Sequence, residues 1–190
     1  MKLIFATNNA HKLSEIKEAV TNFEIVGLKE FGITEDIPET GATLKENARI
    51  KARFLYDNFG QNCFADDTGL EVESLNGEPG VYSARYAGEH CSFEDNNTKL
   101  LTELKDKPNR KAQFRTVICL IIENKESYFE GICKGEILQS YQGEKGFGYD
   151  PIFQPSGFKA SFAQMTMTQK NEISHRGLAV KKLITFLNKG

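Results

Sequence analysis

At 190 residues the chain is long enough for one substantial core and too short for two ordinary domains with a linker, so a single domain over residues 1–190 is expected. Hydrophobic content of 39% and charged content of 26%, with 14 Phe and no Trp, exclude a disordered protein. A formal net charge of −2 argues against a nucleic-acid polymer as partner, because displacing counterions from many phosphates needs a basic face; a small anionic ligand needs only a few lysines and arginines.

Lys2 to Ala6 is a β-branched and aromatic run that stops at Thr7-Asn8-Asn9, after which Leu13, Ile16 and Val20 recur at helical spacing. This spells strand, loop, helix, with Asn8 or Asn9 as N-cap, and backbone N–H groups at such a helix start attract anions. The run meets polar residues at once, so no signal peptide is expected. Phe23 to Leu28 reads as a second strand. Thr43-Leu44-Lys45-Glu46 fits the capping box and opens a helix to about Asn58, on which Ala48, Ala52 and Leu55 share a buried stripe while Asn47 and Lys51 share a more polar one. Cys63-Phe64-Ala65 is a short apolar strand that runs into Asp66-Asp67-Thr68-Gly69, and an apolar pattern resumes at Leu70 to Val72.

Asn76-Gly77-Glu78-Pro79-Gly80 is turn chemistry, and Ser92-Phe93-Glu94-Asp95 is a second capping box for a helix over roughly 92–105. Lys111 to Glu123 and Glu126 to Leu138 form a hairpin about a turn at Asn124-Lys125. The longest apolar run, Val117 to Ile122, falls far short of the ~20 residues that cross a bilayer, so no membrane span is expected and the protein is placed in the cytoplasm. Val180, Leu183, Ile184 and Leu187 mark an amphipathic C-terminal helix starting near Ser174. Four cysteines without a C-x-x-C pair are expected reduced, with Cys63, Cys119 and Cys133 acting as small hydrophobes. Early alternation of strands and helices, then a hairpin, gives an α/β fold with a mixed sheet.

Five polar constellations carry candidate chemistry, and each has a plain structural alternative. Thr7-Asn8-Asn9-Ala10-His11-Lys12 is either a helix start with a solvated lysine or a phosphate cradle; no P-loop pattern occurs. Glu39-Thr40-Gly41 holds either a solvated carboxylate or a metal ligand. Asp66-Asp67 is poorly placed for folding alone, because the two acids repel and strands disfavour Asp; a divalent cation would relieve them. Adjacent side chains on an extended backbone point to opposite faces, so Asp67 is chosen as the site carboxylate and Asp66 left auxiliary. Oxygen ligands beside a phosphate favour Mg²⁺ over zinc. Gly146-Phe147-Gly148-Tyr149-Asp150-Pro151 is either a tight turn with packed aromatics or a base-stacking loop in which Asp150 reads a polar edge or a sugar. Lys170-Asn171-Glu172-Ile173-Ser174-His175-Arg176 opens the last helix, as an exposed face or as a base- and phosphate-recognition segment.

Taken in order, with Pro79-Gly80-Val81-Tyr82-Ser83-Ala84-Arg85-Tyr86 and Glu46-Asn47-Ala48, these stretches resemble the inosine triphosphate pyrophosphatase family, which removes inosine and xanthosine triphosphates from the nucleotide pool. The resemblance covers nearly the whole chain. It implies an elongated mixed β-sheet flanked by helices, with two lobes around a central cleft, and a homodimer. It further implies that Thr7 through Lys12 contact the triphosphate, that Glu39 and Asp67 hold Mg²⁺, and that Asp67 also takes a proton from water. Thr68 and Lys51 would contact phosphate, the Phe147 to Asp150 loop would form the base and sugar platform, and Lys170, His175 and Arg176 would surround the purine. Lys12, Lys51 and Asp67 are thus the expected catalytic groups, and a purine nucleoside triphosphate the expected partner. The chain departs from the family at Asn8, where Gly is common, and at Tyr149, where some members carry Trp. The alternatives are a pyrophosphatase for other modified nucleotides and a nucleotide-binding sensor without turnover.

Overall fold

A computed structural model describes residues 2–189. Three strands pair in parallel: β1 (Lys2–Phe5) lies beside β2 (Glu24–Gly27) with Leu3 opposite Ile25, and beside β3 (Cys63–Val72) with Phe5 opposite Phe64. Together with β4 (Pro79–Gly80), β5 (Lys111–Ile122), β6 (Lys125–Ile137) and β7 (Phe153–Pro155) they make a seven-stranded sheet in the order β2-β1-β3-β5-β6-β7, with β4 paired to β3. β4 and β7 run antiparallel to their neighbours, so the sheet is mixed, as expected. Helices α1 (Ala10–Ala19), α2 (Leu28–Phe31), α3 (Leu44–Phe59), α4 (Phe93–Glu103), α5 (Met167–Ile173) and α6 (His175–Leu187) complete the α/β fold. Among the described residues no helix is long and apolar enough to cross a membrane.

The chain forms two compact units, one from Met1–Asp67, Thr116–Gly131 and His175–Gly190, the other from Thr68–Arg115 and Ile132–Ser174. In the first unit strand alternation sorts side chains into two layers. Leu3, Phe5, Phe64, Ile118 and Leu120 face α1 and α6 through Ile16, Val20, Ala179, Val180 and Leu183. Ile4, Ala65, Cys63, Cys119 and Ile121 face α3 through Ala48, Ala52 and Leu55. Cys63, Cys119 and Cys133 are free and buried, and burial pushes the Cys63 thiol up to about 12. In the second unit Leu70, Val72, Phe114, Ile137, Phe153 and Phe162 pack against Leu100 and Leu104 of α4.

Local chemistry explains the helix starts. The Thr43 hydroxyl accepts from Glu46 N–H and the Ser92 hydroxyl from Asp95 N–H, each the capping box expected. Three expectations need correction. Asp66 to Gly69 is not the end of a short strand; β3 runs unbroken through it, because polar partners from the flanking helices offset the strand's aversion to Asp. The hairpin turn is Glu123-Asn124, both at positive φ, one residue earlier than expected. Lys170 does not open the last helix: it lies in α5, a separate helix capped by Thr166, and α6 begins only at His175.

Candidate active site

The β1–α1 loop spends much of its own hydrogen-bonding capacity. Asn9 Oδ1 caps α1 by accepting from His11 N–H at 3.0 Å and Lys12 N–H at 3.1 Å, and the Thr7 hydroxyl accepts from Asn9 N–H at 3.1 Å. Two helix-start donors expected to face an anion are therefore already satisfied inside the loop. Asn8 Nδ2 points to the segment 34–36, within 3.2 Å of Thr34 O, 3.1 Å of Glu35 O and 3.0 Å of Asp36 Oδ1. Ala10 and His11 are exposed on the first turn of α1.

Asp66 and Asp67 point to opposite sides of β3, as alternation requires. On the α1 and α6 side, Asp66 Oδ1 accepts from Lys12 Nζ at 2.9 Å and Asp66 Oδ2 from Arg176 Nε at 2.9 Å. Arg176 also donates through Nη1 to Glu15 Oε2. Glu15, Arg176, Asp66 and Lys12 thus alternate in sign along one buried chain of ion pairs. Desolvation disfavours the Asp66 carboxylate, but Lys12 and Arg176 outweigh it and hold the group well below the usual range. Burial alone would lower the Arg176 guanidinium as well, and Glu15 and Asp66 reverse that. Only the outer end of this chain reaches solvent: the Lys12 side chain is 16% exposed, against 1% for Asp66 and 3% for Arg176. Burial pulls the Lys12 ammonium below its ordinary value, against the pull of Asp66.

On the α3 side, Asp67 Oδ2 accepts from Asn47 Nδ2 at 3.1 Å, and Asp67 Oδ1 lies 3.7 Å from Lys51 Nζ, which sits 2.5 Å from Glu39 Oε1. Asn47 and Lys51 are one turn apart on α3, which brings both to Asp67. Asn47 Oδ1 accepts from Gly41 N–H at 2.8 Å, so one buried carboxamide ties the Glu39-bearing loop to the strand that carries Asp67. Gly41 permits that approach, since a Cβ there would fall 2.6 Å from Glu46 Cβ. Desolvation raises the Asp67 pKa, assisted by Glu39 and opposed by Lys51. Burial lowers Lys51, yet Asp67 and Glu39 outweigh it and keep the ammonium protonated. Among the described residues no group of three or more His, Cys, Asp or Glu side chains suits a metal ion. Glu39 and Asp67, the two carboxylates that share Lys51, are the oxygen donors that a hard divalent ion would use.

In the second unit the stretch 146–150 is held from within. Asp150 Oδ2 accepts from Phe147 N–H at 2.9 Å and from Lys170 Nζ at 2.6 Å, both charged groups being buried, and Lys170 Nζ stands 5.0 Å from the Phe147 ring centre. Phe147 and Gly148 remain partly exposed. Tyr149 is 5% exposed, packs in the core and donates its hydroxyl to Ser83 O at 2.8 Å, so in this structure it supports the loop from beneath. Thr68, next on β3 after Asp67, is partly exposed. His175 is buried in the first turn of α6. A cavity of about 840 Å³ lined by Glu71, Lys111, Lys134 and Glu136 contains none of the candidate residues.

Glu15 and Asn47 contact candidate residues, Arg176 and Asp67, although the sequence did not single them out as candidates. Glu15 follows Lys12 by one helical turn, and Asn47 precedes Lys51 by one, so helical spacing from the chosen lysines was the available signal.

The sequence matches the Ham1 family model over residues 3–186. A Flavobacterium psychrophilum protein described as dITP/XTP pyrophosphatase is 54% identical over 187 residues, covering 98% of either chain. A Christiangramia forsetii protein with the same description is 53% identical over 190 residues and the full length of both. Among solved structures, the Ham1 protein of Staphylococcus aureus superposes with a TM-score of 0.90 at 40% identity, over 100% of this chain and 99% of that one. A HAM1 protein from Coxiella burnetii gives 0.91 at 36% identity over the full length of both.

Proposed function

The chain belongs to the Ham1 family, and from that premise we propose that it hydrolyses the non-canonical purine nucleoside triphosphates ITP, dITP and XTP to the monophosphate and pyrophosphate. The observation that carries this reading is the Glu39–Lys51–Asp67 arrangement, in which two carboxylates and an ammonium held between them meet beside the Lys12 end of the ion-pair chain. Such a set suits polyphosphate hydrolysis, in which negative charge develops beside a held cation.

Each residue then has a role. Glu39 and Asp67 would hold Mg²⁺, which when bound supplies positive charge to the phosphate oxygens. Asp67, whose proton affinity is raised by burial, accepts a proton from the attacking water. Asn47 fixes the Asp67 carboxylate so that its other oxygen stays directed. Lys51 and Lys12 offset charge that develops on the phosphates, and Asp66 with Arg176 keeps Lys12 extended toward them. Thr7, Asn8, Asn9, Ala10, His11 and Thr68 contact the phosphates. Phe147, Gly148 and Tyr149 provide and support the surface for the base, and Asp150, Lys170 and His175 set its polar surroundings; Arg176, whose Nε and Nη1 are taken by Asp66 and Glu15, stays within the buried ion-pair chain. Discrimination is polar, because a 6-keto purine offers an acceptor and an N1 hydrogen where adenine offers the reverse, and a mismatch leaves buried groups unpaired. Homodimeric assembly and a cytoplasmic location belong to the same reading.

The test is product analysis by phosphorus NMR with ITP and Mg²⁺. Wild-type protein should yield inosine monophosphate and pyrophosphate, and D67N should yield neither at a comparable rate. Orthophosphate as the first product, or wild-type turnover by D67N, refutes the proposal.

A further inference from the structure

The loop that carries Phe147 is gripped from a second direction. Gly146 and Gly148 take φ values of 78° and 62°, in the left-handed region, and the loop's inner side is fixed by the Asp150 carboxylate. The other grip comes from α4. Asn97, buried to 2% exposure, donates from Nδ2 to Gly148 O at 3.0 Å across 51 residues of sequence. Phe93, one turn earlier on the same face of α4, places its ring centre 6.0 Å from that of Phe147. The Ser92–Asp95 capping box fixes the turn from which Phe93 projects. Asn97 Oδ1 is buried with no hydrogen-bond partner among the described residues. A carboxamide that leaves an acceptor unsatisfied in the interior is a poor choice for stability alone, since an apolar side chain would fill the space without that desolvation cost. Among the described residues its side chain holds Gly148.

We propose that Asn97, assisted by Phe93, is a positioning residue for base recognition: α4 sets the Phe147–Gly148 backbone in the geometry the base requires. This rests on the reading that Phe147 meets the base. The consequence is selective. Loss of the grip weakens binding of a ligand that carries a base and leaves a ligand that is only phosphate unaffected, because the phosphate residues lie on other elements.

Calorimetric titration with inosine monophosphate and, separately, with pyrophosphate, both with Mg²⁺, tests this in wild type, N97A, N97D and F93A. Neither titration requires turnover, so a wild-type protein that binds both ligands but hydrolyses nothing defeats the proposed activity without touching this inference. N97A and N97D should bind inosine monophosphate about tenfold more weakly, the loss of one buried hydrogen bond, with pyrophosphate affinity unchanged. F93A should show a smaller loss with the same selectivity. Parallel weakening of both ligands, or unchanged inosine monophosphate affinity, overturns the proposal, as does a wild type that binds neither. Should the Asn97 variants not fold, F93A decides alone on the same criterion, because Phe93 is 45% exposed and its truncation leaves the core intact.

Discussion

Arg176 Nε donates to Asp66 Oδ2 at 2.9 Å across 110 residues of sequence, and this bond joins the last helix to the strand whose next residue is Asp67. The two neighbouring acids therefore stand in opposite electrostatic situations. Lys12 and Arg176 hold the Asp66 carboxyl well below its usual range, whereas at Asp67 desolvation outweighs Lys51 and raises the pKa above its ordinary value.

Neutralising the two should accordingly have unequal effects on stability. D66N leaves Lys12 and Arg176 facing an uncharged amide and should destabilise the protein by about 3–5 kcal/mol, the cost of removing one member of a buried ion pair. D67N should unfold within about 1 kcal/mol of wild type while losing activity. Urea unfolding of both variants checks this; equal destabilisation would contradict the assignment.

Lys51 keeps Glu39 and Asp67 from facing each other bare. K51M should lower kcat by about 10²–10³, the loss typical when a transition-state donor is removed. E39Q should instead act on metal use, raising the Mg²⁺ concentration for half-maximal rate by more than about tenfold. Steady-state rates over a Mg²⁺ series separate the two, and an identical response of both variants would sink the division of roles.

Acid should weaken a specific surface cluster. Tyr128, Arg53 and Arg49 hydrogen-bond to Glu126 and lower its pKa from 4.5 to about 2. A group depressed in the folded state contributes stability above its unfolded pKa, and that contribution is lost as pH falls through the folded one. The stability gap between wild type and E126Q should therefore be full above pH 4.5 and close toward pH 2. Urea midpoints of the pair across this range measure it; a gap independent of pH would refute the cause given.

Gly146 is the position where a single methyl does most harm to the loop. A Cβ there would lie 2.1 Å from Asp150 Oδ2, on a backbone with φ of 78°. G146A should cost more than about 1 kcal/mol in stability and raise KM for the nucleotide more than it lowers kcat. Unchanged KM would show that the loop takes no part in binding.

Much of this was legible in the chain. The capping boxes at Thr43 and Ser92 and the helical spacing of α1, α3 and α6 are local signals that the structure bears out. Strand alternation separated Asp66 from Asp67 before any coordinates did. What escaped depends on contacts distant in sequence. Asp66 read as auxiliary because its partners Lys12 and Arg176 lie 54 and 110 residues away, and the same partners keep β3 unbroken where Asp suggested an end. Tyr149 stayed open between a packed and a base-stacking ring because nothing nearby showed that Ser83 O, 66 residues away, awaits its hydroxyl. α5 is too short for a periodic apolar stripe, yet its Thr166 and Gln169 form a capping box that was there to be found.

The most direct test of the central claim is pyrophosphate release in Mg²⁺ from ITP, dITP and XTP against ATP, compared as kcat/KM. ITP, dITP and XTP should exceed ATP by at least about 100-fold, as expected when the reversed edge of adenine leaves buried polar groups unpaired. Equal turnover of ATP and ITP, or no pyrophosphate from any of them, would contradict it.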